Sequence, residues 1–378
     1  MRKGLRFIYA LYLTLALIAK VQAQTAEVPT QFIRDLEGGK SRTLVAFGTS
    51  LTAGGAWVGL LDAYLKTKYP GMVQVFNEGG SGHSSVWGLK NVANVTRHNP
   101  DLVLIEFAMN DAYYPPQNGY TEGVTVDSSR ANLRHIIDSI QARNPKCEII
   151  LQTMDLCLGP HRQRRPLLEA YYQGYREEAS AGKFLLADHM LNWKSILDWD
   201  TTFYLSWLPD SIHPNAEASA AITLPGAISA LLGAKTAIDN TLPASISEGV
   251  DIEIRAGATS PATRVDFFQG KTKIGTDSTF PYAYTWKNPP VGSYLITSKL
   301  MQGYTVVAVS QGRALKVLKP SSTRRYALNR LKKPDRYRNL RAILLGRARG
   351  SAGSVPNVDR LLPWLGGREE SASEIRSE

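Results

Sequence analysis

The sequence predicts an α/β protein in which a five-stranded parallel sheet lies between two layers of helices, followed by a small all-β sandwich. Two observations support this fold class. From residue 42 to about 232, short apolar runs alternate with amphipathic stretches, as in parallel sheets covered on both faces. Near residue 240 the pattern changes to short alternating strands separated by Gly, Pro, Asn and Asp. A length of 378 residues suits two domains.

The elements of the first region follow from hydrophobic periodicity. Apolar runs predict five strands, at residues 43–47, 73–77, 102–107, 148–153 and 184–188. Apolar residues at helical spacing predict helices at residues 57–68, 86–98, 127–143 and 167–181. Pro214 opens a further helix that runs to about residue 232. The order of these segments is the strand–helix alternation of a doubly wound sheet.

The second region contains five predicted strands, at residues 250–255, 264–269, 282–286, 293–299 and 305–309. Residues 239–243 form the predicted linker between the two regions. We therefore expect a signal peptide at 1–23, the α/β domain at 24–238 and the sandwich at 239–319. The remaining residues, 320–378, are rich in Arg, Ser and Gly, and we expect a basic, disordered tail.

The N-terminus has the pattern of a secretory signal. Arg2, Lys3 and Arg6 precede an apolar run from Phe7 to Ala19, which is short for a membrane span. The small-residue site at 21–23 then predicts cleavage. We expect a secreted protein, extracellular or periplasmic, without a stable membrane anchor.

The net charge of +11 lies at the two ends of the chain. Residues 1–23 carry four net positive charges and residues 320–378 carry seven, which leaves residues 24–319 neutral. A neutral folded body lacks the positive field that grips phosphates, so we expect no nucleic-acid partner. No His, Cys or acidic spacing typical of a metal site appears, and we expect no metal and no cofactor.

Five residues follow strand ends or lie in the loop after the fifth strand. Ser50 follows the first strand, Gly82 the second and Asn110 the third, and Asp210 and His213 lie beyond the fifth. Ligands of parallel sheets bind beyond the carboxyl ends of the strands, so we expect these residues at one edge. A serine becomes a nucleophile when an imidazole takes its proton and a carboxylate orients that imidazole.

These segments resemble the four blocks of the SGNH (GDSL-type) serine hydrolase superfamily. The blocks read Phe-Gly-Thr-Ser-Leu-Thr-Ala-Gly at 47–54, Asn-Glu-Gly-Gly-Ser-Gly at 77–82, Phe-Ala-Met-Asn-Asp at 107–111 and Asp-Ser-Ile-His-Pro at 210–214. The resemblance covers roughly residues 42–232 and implies a flavodoxin-like αβα fold. It also implies that Ser50 is the nucleophile, His213 the general base and acid, and Asp210 the residue that orients His213.

The same resemblance implies an oxyanion hole formed by the backbone N–H groups of Ser50 and Gly82 and by the side-chain amide of Asn110. One position departs from the family pattern. The first block usually reads Gly-Asp-Ser, and here Thr49 stands in place of the aspartate. We expect this change to affect the geometry of the turn more than the chemistry.

Residues 240–319 resemble the bacterial immunoglobulin-like modules that accompany secreted carbohydrate-active enzymes. The matching segments are those around residues 265–268, 275–277, 281–286 and 292–294. Together with export, this module favours a carbohydrate O-acetyl esterase that acts on acetylated poly- or oligosaccharide. Two alternatives remain open: a lipase, lysophospholipase or thioesterase, and a non-catalytic polysaccharide-binding or adhesion protein.

Overall fold

A computed structural model describes residues 28–114, 123–259 and 262–320. The predicted signal peptide lies outside the described residues, and so does the predicted tail apart from Pro320. The strands of the first region are β1 (Arg42–Gly48), β2 (Val73–Asn77), β3 (Leu102–Glu106), β4 (Glu148–Thr153) and β5 (Leu185–Asp188). All five predicted strands are present, with ends that shift by at most one residue.

The helices of this region include four short turns close to the strand ends. The helices are α1 (Gln31–Glu37), α2 (Ser50–Ala53), α3 (Ala56–Lys68), α4 (Ser85–Thr96), α5 (Ala108–Asp111), α6 (Val126–Arg143), α7 (Gly159–Gln163), α8 (Leu168–Gly182), α9 (His189–Trp199), α10 (Thr201–Trp207), α11 (Ala216–Ala218) and α12 (Leu224–Leu232). A π-helical segment, Ser219–Thr223, joins α11 to α12.

The five strands are parallel, and their spatial order is β2-β1-β3-β4-β5. This is the flavodoxin-like order, with the chain reversing direction of winding between β1 and β3. The predicted fold class is confirmed. Because the strands run in one direction, the loops that follow β1, β2 and β3 meet at the same edge of the sheet.

The sheet separates two apolar layers, as the alternation of side chains requires. On one face, Val45, Phe47 and Ile105 pack against α6 residues such as Leu133 and Ile136. On the other face, residues from the same strands pack against helices α1, α3 and α12, through Leu44, Ala46, Leu104, Phe32, Leu61, Leu65 and Leu231. Strands β1, β3 and β4 are therefore buried on both sides, which explains their mostly apolar sequence.

The second region is a sandwich of two sheets, in which the strand pairs are antiparallel except for a parallel pair at one edge. Its strands are β6 (Thr236–Ile238), β7 (Ser245–Ser247), β8 (Ile252–Ala258), β9 (Arg264–Gln269), β10 (Thr272–Asp277), β11 (Tyr282–Trp286), β12 (Gly292–Gln302), β13 (Thr305–Val309) and β14 (Arg313–Leu318). One sheet has the order β10-β9-β12-β14-β7, with β13 also paired to β12, and the other has the order β11-β8-β6. The immunoglobulin-like part of the prediction is confirmed, although periodicity alone missed β6, β7, β10 and β14.

The sandwich shares an apolar core with the α/β region. Ile296 and Leu300 of β12 belong to the same buried cluster as Ile228 and Leu231 of α12. Strand β6 begins at Thr236, shortly before the boundary expected at residue 239, and the boundaries themselves stay predictions. In the described part of the chain, no helix has both the length and the apolar character needed to cross a membrane.

Candidate active site

The segment that follows β1 makes a tight turn into a short helix. Thr49 occupies the N-cap of α2, where its side chain accepts a hydrogen bond from the Leu51 backbone N–H at 3.2 Å. Ser50 is thereby the first residue of the helix, at the carboxyl edge of the sheet. The free N–H groups of a helix start favour negative charge nearby, but this helix has only four residues, so local geometry matters more than a dipole.

Ser50, His213 and Asp210 form one hydrogen-bonded chain. The Ser50 hydroxyl lies 2.8 Å from Nε2 of His213, and Nδ1 of His213 lies 2.6 Å from Oδ2 of Asp210. A carboxylate only accepts hydrogen bonds, so Nδ1 carries the ring proton and Nε2 accepts from the serine. The serine and the histidine are 163 positions apart in the sequence, and the fold brings them into contact.

The carboxylate of Asp210 is held by its own loop. Its Oδ1 accepts hydrogen bonds from the backbone N–H groups of His213 at 2.7 Å and Ile212 at 3.1 Å. Partial burial raises the pKa of Asp210, but the hydrogen bonds from the His213 backbone and ring outweigh it, and the net pKa is lowered. Ser211 takes a left-handed φ of 70°, which bends the chain so that Asp210 faces the imidazole.

The three groups predicted for an oxyanion hole line the same cleft. Ser50, Gly82 and Asn110 are all among its walls, and the cleft has a volume of about 790 Å³. Gly82 has a φ of 77°, a left-handed conformation that an L side chain rarely adopts. The Asn110 amide nitrogen donates to the His83 carbonyl at 3.0 Å, which leaves its second N–H available.

Thr49 contacts a buried carboxyl group that the sequence interpretation missed. Glu106, at the end of β3, is 1% exposed. It accepts hydrogen bonds from the Thr49 backbone N–H at 2.7 Å and from the Thr49 and Thr52 hydroxyls at 3.0 and 2.7 Å. Burial raises the pKa of Glu106 to about 7, although these hydrogen bonds oppose the shift. The threonine therefore suits this turn because it donates to Glu106, which an ionised aspartate cannot do.

Asp111 anchors the loops behind Asn110. Its carboxyl group accepts hydrogen bonds from the Ser85 backbone N–H at 2.7 Å and the Ser129 hydroxyl at 2.5 Å. Burial raises the pKa of Asp111 to about 6. This carboxyl group ties the start of α4 and the start of α6 to α5, the helix that carries Asn110.

The aromatic residues near the motifs divide into core and cleft residues. Trp87 packs against Phe47 and stacks on His83 at 4.8 Å between ring centroids, and Trp207 packs against Trp193. Tyr113 does line the cleft. Most of the aromatic side chains that flank the motifs therefore serve packing.

Sequence reasoning also missed Arg165, which lies behind Asn110. The side chain is 4% exposed and donates to the Met109 carbonyl at 2.6 Å and to Oδ1 of Asn110 at 3.2 Å. Because a guanidinium group only donates, it fixes which end of the amide points at Arg165. No motif or spacing marks Arg165 in the sequence, since its partners lie about 55 residues away.

Residues 46–221 match the model of the GDSL-like lipase/acylhydrolase family, and residues 238–297 match that of the bacterial Ig domain. The first region is a GDSL-like acylhydrolase domain. The protein is a serine hydrolase that acts on ester bonds, and the resemblance inferred from the four sequence blocks is confirmed.

Several solved structures are similar to about half of this chain. One is the acetylxylan esterase Axe2 from Geobacillus stearothermophilus, at 20% identity, with 51% of this chain and 94% of that chain covered and a TM-score of 0.44. Another is LAE5, an α/β hydrolase enzyme from the metagenome of Lake Arreo, Spain, at 23% identity, with 51% and 95% covered and a TM-score of 0.42. No curated protein sequence matches the chain.

Proposed function

We propose that the protein is a secreted carbohydrate O-acetyl esterase, which removes acetyl groups from poly- or oligosaccharides through an acyl-enzyme. The observation that carries the ester chemistry is the hydrogen-bonded chain from Asp210 through His213 to Ser50, which opens into a cleft beside Gly82 and Asn110. The same residues are therefore the proposed catalytic residues and oxyanion hole.

In the proposed reaction, Nε2 of His213 takes the hydroxyl proton as Ser50 attacks the ester carbonyl carbon. The carbonyl oxygen becomes negative and accepts hydrogen bonds from the backbone N–H groups of Ser50 and Gly82 and the amide of Asn110. His213 then protonates the leaving alcohol, and the alcohol departs. Water deprotonated by His213 next attacks the acyl-enzyme, which releases the acid and restores the serine.

The shape and lining of the cleft support a sugar ester. Beyond Ser50, the cleft is bordered by Tyr113, His161 and Arg164, which offer an aromatic face and hydrogen-bond donors. Sugars combine apolar ring faces with hydroxyl groups, so such a border suits them. The proposal of export depends on the signal-like residues 1–23, which the structure does not describe.

The size of the cleft also favours a second candidate. A volume of about 790 Å³ exceeds what an acetyl group needs, and apolar side chains such as Leu51, Met154 and Ile212 line part of it. A longer acyl chain would fit there. The second candidate is thus a lipase- or thioesterase-type acylhydrolase.

A chain-length series separates the two candidates. The mature protein is assayed with p-nitrophenyl esters from acetate to octanoate and for acetate release from acetylated polysaccharides. We expect kcat/KM to be highest for acetate and acetate to be released from the polysaccharide. A rise in kcat/KM towards octanoate would favour the second candidate, and no turnover together with no labelling of Ser50 by a fluorophosphonate would contradict both.

A further inference from the structure

Arg165 is a buried cation at the edge of the proposed oxyanion hole. Its guanidinium group makes three hydrogen bonds, to the Met109 and His161 carbonyls and to Oδ1 of Asn110, and all three acceptors are neutral. The guanidinium also lies 4.9 Å from the centre of the Tyr113 ring. Among the described residues, no carboxylate forms an ion pair with it.

One carboxyl group that acts on this charge, that of Asp155, is itself buried. Asp155 is fully buried, and neither of its carboxyl oxygens has a hydrogen-bond partner among the described residues. Burial raises the pKa of Asp155 well above its usual range, which favours the neutral form of this carboxyl group. Burial lowers the pKa of Arg165, yet a guanidinium remains protonated in proteins.

A buried cation without a counter-ion costs free energy that must be offset elsewhere. The position of Arg165 suggests that the buried charge is retained for its effect on the reaction. Its nearest functional neighbour is the amide of Asn110, which is expected to face a negative oxygen only while the tetrahedral intermediate exists. A charge near that oxygen stabilises the transition state more than the neutral ester, and this difference raises kcat.

The direction of the hydrogen bonds gives Arg165 a second effect. It donates to the oxygen end of the Asn110 amide, while the nitrogen end donates to the His83 carbonyl and has one N–H left for the substrate. A positive group on the oxygen end draws electrons from the amide and makes the remaining N–H a stronger donor. The same contact prevents the amide from turning its oxygen towards the substrate.

We propose that Arg165 is a positioning residue of the oxyanion hole, which orients the Asn110 amide and supplies a positive charge behind it that no ion pair among the described residues neutralises. This inference rests on the proposed esterase function and deepens it. The guanidinium does not replace any of the three hydrogen-bond donors of the hole. It acts on the negative oxygen through Asn110.

A double-mutant cycle tests the inference. Arg165→Met is measured in the parent and in an Asn110→Ala background, with p-nitrophenyl acetate as substrate and active sites counted by fluorophosphonate labelling of Ser50. We expect kcat to fall about 10- to 100-fold in the parent, less than the roughly 10²- to 10³-fold fall for loss of a whole oxyanion donor, with KM changed less than about twofold. In the Asn110→Ala background we expect kcat to fall less than about threefold, because the amide through which Arg165 acts is already absent.

Two further variants keep the test decisive. Arg162→Met is the matched control, because Arg162 lies in the same segment but pairs with Glu169 at 3.1 Å, and we expect parent-like kcat. Arg165→Lys retains the charge without the planar fork and decides the question if Arg165→Met does not fold. A several-fold loss in kcat for Arg165→Lys that disappears in the Asn110→Ala background supports the inference.

Three results would overturn it: equal losses in both backgrounds, a loss carried by KM, or parent-like kcat in a folded Arg165 variant. These results are distinguishable from failure of the proposed function. If the parent protein hydrolyses no ester, the esterase proposal fails. If the parent is active and the Arg165 variants match it, only the role of Arg165 is rejected.

Discussion

The two halves of the candidate site are held in place by different parts of the molecule. The half that carries Ser50 and Asn110 is anchored in the core of the α/β domain, where Thr49, Glu106 and Asp111 are each at most 1% exposed. The half that carries the histidine is open to solvent, and the side chains of His213 and Asp210 are 44% and 53% exposed.

Lys271 of the sandwich contacts residues that flank the exposed half. Lys271 of the sandwich forms an ion pair with Glu217 at 2.7 Å, and Glu217 lies four residues after His213. The Lys271 ammonium also lies 5.3 Å from the Phe203 ring and 5.5 Å from the Trp207 ring, just before the loop that carries Asp210. The nucleophile is thus fixed by buried hydrogen bonds, whereas the loop of the base is held by its own hydrogen bonds and lies beside surface contacts between the two regions.

The largest expected effect comes from breaking the contact that joins the halves. We expect Ser50→Ala and His213→Ala each to lower kcat by about 10⁴-fold or more, because each removes one member of a unit that acts together. The kcat of the double variant should be only slightly lower than that of either single variant. Steady-state hydrolysis of p-nitrophenyl acetate measures this, and full additivity of the two losses would contradict a joint role.

Thr49→Asp tests the buried half. The new carboxylate would face Glu106 in a buried site, so we expect the free energy of unfolding to fall by about 3 kcal/mol. Adding Glu106→Gln should restore most of this loss, because the amide can donate to the new aspartate. Urea unfolding measures both variants. A Thr49→Asp protein as stable as the parent would show that the threonine is not required by Glu106.

The pKa of Glu106 predicts how stability depends on pH. A carboxyl group whose pKa is raised from 4.5 to about 7 on folding binds more protons in the folded state than in the unfolded state. Its contribution to the free energy of unfolding is therefore present below pH 4.5 and is lost as pH rises through 7. Relative to Glu106→Gln, we expect the parent to lose about 2 kcal/mol of the free energy of unfolding between pH 5 and pH 7. Parallel pH profiles for the two proteins would contradict the raised pKa.

The smallest effect is expected on the exposed side. Lys271→Met removes the ion pair and the cation over the aromatic rings, and we expect kcat to fall about two- to fivefold with the free energy of unfolding lowered by about 1 kcal/mol or less. Glu217→Gln should reproduce part of the loss, and Lys194→Met, which removes an exposed pair within α9, serves as the control. Raising the salt concentration should lower the kcat and the free energy of unfolding of the parent towards the values of Lys271→Met. A parent-like Lys271→Met would show that the loop holds its own geometry.

The fold and the position of the site were predictable because both depend on local patterns. Apolar runs marked all five strands of the sheet, and the motif residues follow strand ends, so topology alone brings Ser50, Gly82 and Asn110 to one edge. The short strand β7 was missed because its pairing with β14, rather than its periodicity, makes it a strand.

The supporting residues were not predictable for a different physical reason. Glu106, Arg165 and Lys271 act on partners 54 to 57 residues away, and nothing close to them in the sequence identifies those partners. The sequence offered Glu106 as the one charge in an apolar strand. Only the structure shows that Thr49 and Thr52 donate hydrogen bonds to its carboxyl group.

The apolar cluster that joins α12 to β12 links the folding of the two regions. Ile228 and Leu231 on one side and Ile296 and Leu300 on the other are all completely buried, so neither surface would remain covered if its partner left. Heating should accordingly melt the hydrolase and the sandwich in one cooperative calorimetric transition. A protein consisting of the catalytic region alone would need other residues to bury the apolar side chains of α12.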